Sequence, residues 1–102
     1  MSGDDDSAIG DGAEQIRRMV TICNKRGLHA RAAARFVKLA WQFDAEIMVA
    51  KNGAAVSGRS IMGLMMLAAG PGTPVELRAS GPDAERAIAA LAELIGGGFD
   101  EA

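Results

Sequence analysis

The sequence is poor in the residues that most often carry chemistry or cross-links: one cysteine, one histidine, one tryptophan, three phenylalanines and no tyrosine among 102 residues. With Cys23 alone, no internal disulfide can form, and a reducing compartment suits such a chain. With His29 alone, a multi-histidine metal site is excluded, and Cys23 as the one other soft ligand leaves zinc without a ligand set. No metal and no cofactor is expected. Aromatics make up 4% of the chain, too few for the stacking platforms that single-stranded nucleic acids need. The longest apolar run, "IMGLMMLAAG", falls far short of the ~20 residues that cross a bilayer. The N-terminus lacks the basic and apolar regions of a secretory signal peptide, so the cytoplasm is the expected compartment and no membrane contact is expected. There is no glycine-rich phosphate loop and no acid cluster to hold magnesium.

What remains is an ordinary globular composition, 49% apolar and 24% charged, with a length suited to one domain. The net charge of −2 hides an asymmetry. Residues 1–15 hold Asp4, Asp5, Asp6, Asp11 and Glu14 and no base, and read as a disordered acidic tail. Residues 16–102 carry 11 bases against 8 acids and read as the folded domain. That surplus is too small for a dedicated nucleic-acid binder, though local clusters of bases can hold phosphate.

Hydrophobic spacing orders the domain as βαββαβα. "IRRMVTIC" alternates Arg18, Val20 and Ile22 as a strand does, with Cys23 a buried strand residue. Residues 30–42 place Ala33, Phe36, Val37 and Ala40 on one helical face, with Trp41 and Phe43 beside Phe36 as core or rim. Asn52-Gly53 suits a tight primed turn between two strands. "SIMGLMMLAA" is a short helix with Ser60 as N-cap, and "TPVELRAS" is a fourth strand. A last helix opens with Asp83 and Glu85 and stops at Gly96–Gly98. Four short strands and three helices predict an α+β fold, an antiparallel sheet with all helices on one face.

The helix at "NKRGLHARAAARF" begins against the rules. A helix N-terminus exposes unpaired N–H groups and a partial positive charge, and it normally takes a Ser, Thr, Asp or Asn cap with acids in the first turn. Here Lys25, Arg26, His29 and Arg31 crowd that end, and no acid follows before Asp44. Such a terminus is built to receive an anion. Arg31 offers a fork of donors that fits phosphate oxygens, and an imidazole nitrogen beside it is nucleophilic. The pattern suits a phosphohistidine, in a chain that can accept and donate a phosphoryl group without the means to activate one. Two rivals stand beside this reading: a small basic-helix nucleic-acid module, and a hydrolase with His29 as general base.

"GLHARAAARFV" at 27–37 and "SGRSIMGLMML" at 57–67 together resemble the histidine-containing phosphocarrier (HPr) family of the bacterial phosphoenolpyruvate-dependent phosphotransferase system. The resemblance runs over about residues 16–96. It implies an open-faced β-sandwich with strand order 1-4-2-3 under three helices, and a monomeric carrier rather than an enzyme. It implies phosphorylation of His29 on Nδ1 by enzyme I, with Arg31 and the amides of Ala30 and Arg31 holding the group, and onward transfer to A-type enzyme II proteins in sugar transport or regulation. Ser60 matches a regulatory serine that HPr kinase/phosphorylase modifies in some relatives, and Arg59 beside it is placed to accept the new charge. Ile61, Met62 and Met65 fall where the family presents an apolar patch to partners. Arg35 is a candidate for steering an acidic partner. The proline common three residues after the histidine is Ala32 here.

Overall fold

The computed structural model describes residues 15–101. The expected acidic tail lies outside these residues except for its last position. The chain forms strand β1 (Ile16–Thr21), helix α1 (Ala30–Ala40), strands β2 (Glu46–Lys51) and β3 (Ala54–Ser57), helix α2 (Ile61–Met66), strand β4 (Pro74–Ser80), helix α3 (Ala84–Gly96) and a 3₁₀ turn at Gly98–Asp100. The sheet is antiparallel throughout, in the order β1-β4-β2-β3. In register, Val20 faces Val75, and Leu77 faces Val49, which in turn faces Val56. The period of two sends Val75, Leu77 and Ala79 of β4 inward with Ile47 and Val49 of β2. Asn52 and Gly53 join β2 to β3 with φ of 49° and 85°, the pair of positive angles that a type I′ turn requires.

The three helices cover that inner face. Helix α1 buries Ala32, Ala33, Phe36, Val37 and Ala40, and α3 buries Ala84, Ala87, Ile88, Leu91, Ala92 and Ile95. Alanines on both helices let the backbones lie close to the sheet, while Phe36, Leu77 and Leu91 fill the middle. Helix α2 is shorter and buries only Leu64. Ser60 caps it, its Oγ accepting the Gly63 N–H at 2.9 Å. At its other end Lys51 Nζ donates to the carbonyls of Leu67 and Ala68 at 2.8 and 3.3 Å, a cation on the negative end of a helix.

The structure corrects three expectations. Strand β1 ends at Thr21, so Cys23 is exposed and belongs to no strand; its Sγ donates to the Ile95 carbonyl at 3.2 Å. Asp83 stands at the N-cap of α3 but makes no side-chain cap bond. Its carboxylate instead accepts the Asp44 N–H at 2.9 Å and Arg86 Nη1 at 3.1 Å, tying the start of α3 to the chain before β2. Trp41 is 62% exposed, neither core nor packed rim, and its ring lies under the Arg59 guanidinium at 4.4 Å. Among the described residues, no helix is long and apolar enough to cross a membrane.

Candidate functional site

His29 is the N-cap of α1, its backbone extended at φ −75° and ψ 177°. The His29 side chain makes no cap bond, and the first turn of the helix holds no acid. The first intrahelical bond runs from the Ala33 N–H to the His29 carbonyl at 2.8 Å. The N–H groups of Ala30 and Arg31 therefore precede the helical ladder, with no intrahelical partner.

A tight turn delivers the histidine to this position. Gly27 has φ +64°, and a Cβ there would lie 2.3 Å from the Ala69 carbonyl oxygen and 2.9 Å from Gly70 Cα. Only glycine allows that approach. The approach lets the Leu28 N–H donate to the Ala69 carbonyl at 2.9 Å, which fastens the His29 turn to the segment that follows α2. Asn24, 6% exposed, braces the same turn from inside, its Nδ2 donating to the Gly27 carbonyl at 2.9 Å.

The imidazole reaches the far end of the chain. His29 Nε2 lies 2.5 Å from Glu101 Oε2, and Glu101 Oε1 accepts from Asn24 Nδ2 at 3.2 Å. These two hydrogen bonds, from His29 first and then Asn24, hold the Glu101 carboxyl below the usual carboxylate range. Phe99, fully buried, anchors the segment that carries Glu101, and Arg35 Nη1 donates to its carbonyl. Arg35 thus braces the C-terminal turn. Neither Phe99, Glu101 nor Asn24 was legible as part of a site. The one available signal was a lone aromatic after three glycines, in a stretch otherwise of acids.

Beside the ring lies an open cavity of about 330 Å³, lined by Arg26, His29, Arg31, Arg35, Asp100 and Glu101. Three guanidiniums face two carboxylates there, an environment that admits an anion at modest electrostatic cost. Arg31 is exposed and has no hydrogen-bond or ion-pair partner among the described residues. It keeps its donors available. Among the described residues no three His, Cys, Asp or Glu side chains gather as a metal site would need.

The remaining candidates lie on and before α2. Ile61, Met62 and Met65 are 40%, 73% and 43% exposed, and Met66 beside them is 78% exposed. A six-residue helix can bury one face only, and Leu64 takes it, so the thioethers face solvent. Arg59 is not directed at Ser60. Its Nη2 donates to the Phe43 carbonyl at 2.9 Å and its guanidinium covers Trp41.

Comparison with known proteins places this geometry. The family "PTS HPr component phosphorylation site" matches residues 16–96. The phosphocarrier protein HPr of Neisseria meningitidis serogroup A is 50% identical over 86 residues, 84% of this chain and 97% of that one. The crystal structure of HPr-C-His from Thermoanaerobacter tengcongensis superposes with a TM-score of 0.82 at 45% identity, covering 85% of this chain and 98% of that one. The crystal structure of an HPr dimer from the same organism does so with a TM-score of 0.68 at 48% identity, covering 80% and 94%. Sheet order, helix placement and family all agree, and neither the nucleic-acid-binding nor the hydrolytic alternative finds support. The chain belongs to the HPr family, the phosphocarriers of the phosphotransferase system, which relay a phosphoryl group to the system's other components and do not turn over a substrate.

Proposed function

We propose that His29 accepts a phosphoryl group on Nδ1 from enzyme I and passes it to A-type enzyme II proteins, in sugar transport or in a regulatory branch, within the cytoplasm. The observation that carries this reading is His29 itself: a histidine at the acid-free N-terminus of α1, beside an Arg31 with no partner among the described residues. The amides of Ala30 and Arg31 and the Arg31 guanidinium supply donors to the phosphoryl oxygens. Because in-line transfer needs close approach, the partner surface surrounds His29. The exposed Ile61, Met62 and Met65 supply an adaptable apolar contact for more than one partner. A monomer leaves that surface open. Ser60, at the edge of the patch, is the candidate for regulatory modification by HPr kinase/phosphorylase. Residues 16–102 are the carrier domain, and residues 1–15 an appended acidic tail.

The test is to incubate the chain with enzyme I and phosphoenolpyruvate and map the acid-labile phosphate. It should fall on His29, and His29→Ala should lose it while staying folded, its Tm lowered only by loss of the contact with Glu101. Phosphate on another residue, or none, overturns the reading.

A further inference from the structure

A second open cavity, of about 310 Å³, adjoins the one beside His29, with Arg26 and Glu101 lining both. Its volume is at the lower end of the ~300–1,000 Å³ of small-ligand sites. Cys23 opens onto it. The thiol is exposed, and its hydrogen bonds go only to carbonyls at the end of α3, Ile95 at 3.2 Å and Gly96 at 3.6 Å. Gly98 forms part of the wall and has no side chain to fill it. Asn24 lines the same cavity and is 6% exposed. Its Nδ2 is committed to the Gly27 carbonyl and to Glu101 Oε1, and a flipped amide would set its oxygen against two acceptors. Oδ1 is therefore on the edge of the amide turned away from those partners, buried and with no donor among the described residues. Native interiors seldom leave a carbonyl acceptor unmet, and an N–H brought by an occupant of the cavity would meet it. Lys25 and Arg26 stand at the rim, both exposed and without a hydrogen-bond or ion-pair partner among the described residues. A thiol, an unmet acceptor and two cations suit one kind of occupant, a molecule with an exchangeable sulfur, amide N–H groups and carboxylates.

We propose that Cys23 is a site of reversible thiol–disulfide exchange with a low-molecular-weight peptide disulfide that carries carboxylates, and that the adduct slows phosphoryl uptake at His29. The second half rests on the reading of His29 as the phosphoryl acceptor. In a reducing compartment such an exchange is transient and serves to sense redox state. The Cys23 thiol gives its proton to water, and the thiolate attacks one sulfur of the disulfide. The new S–S bond forms as the old one breaks, and the departing sulfur keeps that electron pair and takes up a proton. Cys23 is oxidised to the mixed disulfide, and half of the reagent is reduced to a thiol. A thiol in excess reverses the exchange by the same displacement. In the adduct Sγ no longer donates to the Ile95 carbonyl; an amide N–H of the peptide donates to Asn24 Oδ1, and its carboxylates pair with Lys25 and Arg26. Arg26 links the two cavities. A carboxylate held there takes up one of the three guanidiniums of the anion cavity and sets negative charge where a phosphoryl group must arrive.

The experiment uses the full chain, reduced and then exposed to oxidised glutathione, with intact mass reporting the adduct and peptide mapping its position. One glutathionyl group should add, at Cys23. Cys23→Ser should take none while accepting phosphate from enzyme I at the wild-type rate. Each reagent's rate is normalised to its rate with a short cysteine peptide. On that scale the adduct should form about tenfold faster than with uncharged hydroxyethyl disulfide, and Lys25→Gln should remove most of the advantage. The adduct should slow initial phosphorylation by enzyme I and phosphoenolpyruvate about tenfold, and dithiothreitol should restore the rate. A folded chain that takes no adduct where the urea-unfolded chain does overturns the site. So does an adduct that forms no faster than with the uncharged disulfide, which would make Cys23 an exposed thiol and nothing more. An adduct that leaves the phosphorylation rate unchanged overturns its hold on transfer. An unmodified chain that takes no phosphate on His29 instead refutes the carrier reading, and the adduct rates still decide the role of Cys23.

Discussion

Replacing Gly27 by alanine perturbs the turn that delivers His29, and the structure supplies both the magnitude and the control. Two costs act together at Gly27. A φ of +64° is unfavourable for an L side chain by roughly 1–2 kcal/mol. The new methyl would also stand 2.3 Å from the Ala69 oxygen, with backbone rather than a flexible side chain opposing it. The two loop segments must part, which sacrifices the Leu28–Ala69 hydrogen bond, worth about 1 kcal/mol. A total of about 2–3 kcal/mol follows, or a fall in Tm of about 8–24 °C for a domain of this size. Gly53 isolates the first cost: its φ is +85°, but a Cβ there meets nothing within 4 Å. Gly53→Ala should therefore lose only about 1–2 kcal/mol. Thermal melts of the two variants, with urea titrations to check that the slope is unchanged, decide the matter. Equal destabilisation by the two alanines would refute the claim that backbone approach, rather than φ, requires glycine in the His29 turn.

Three further outcomes are expected. Ser60→Ala should lose about 1 kcal/mol by removing the cap on the Gly63 N–H yet accept phosphate normally. Ser60→Asp should keep a cap and slow phosphorylation of His29, because Arg59 is held by Phe43 and Trp41 and leaves the new charge unopposed; initial rates equal to wild type would leave Ser60 a cap alone. Met62→Glu, at a residue 73% exposed, should leave Tm nearly unchanged and weaken enzyme I binding measured by calorimetry, since docking must desolvate the carboxylate; unchanged affinity would remove α2 from the interface. The Glu101 carboxyl titrates below its ordinary 4.5 in the folded chain. Its stabilising contribution is therefore complete above that pH and is lost as pH falls from there through the folded value. The Tm difference between wild type and Glu101→Gln, read across an acid series, should narrow only below about 4.5; a constant difference would show that the contact does not titrate.

The fold could be read from the chain because its elements carry their signals locally. Ala33, Phe36, Val37 and Ala40 mark α1 by spacing alone, and Asn52-Gly53 marks the hairpin. His29 and Arg31 were equally legible, as a helix start that breaks the usual capping pattern. What could not be read are contacts between distant segments. Nothing near Asn24 announces a carboxylate 77 residues on, and nothing near Arg35 announces the Phe99 carbonyl. A glycine run reads as the end of ordered structure, so Gly96–Gly98 concealed the turn that follows. Asp83 and Arg59 show the complementary error. Each stands beside the group that local rules would assign it, and each is drawn away by a stronger partner across the fold.

The burial of Phe99 also bears on how often the site is assembled. A terminal segment of glycines and acids ordinarily frays, spending much of its time detached. Here detachment would return a fully buried phenyl ring to water and release the bond from Arg35, a combined cost of about 3 kcal/mol. That cost opposes the conformational entropy gained on detachment, about 1–2 kcal/mol for each backbone residue released. Glu101 is thus held beside His29 by contacts within the chain itself, with no partner needed to put it there.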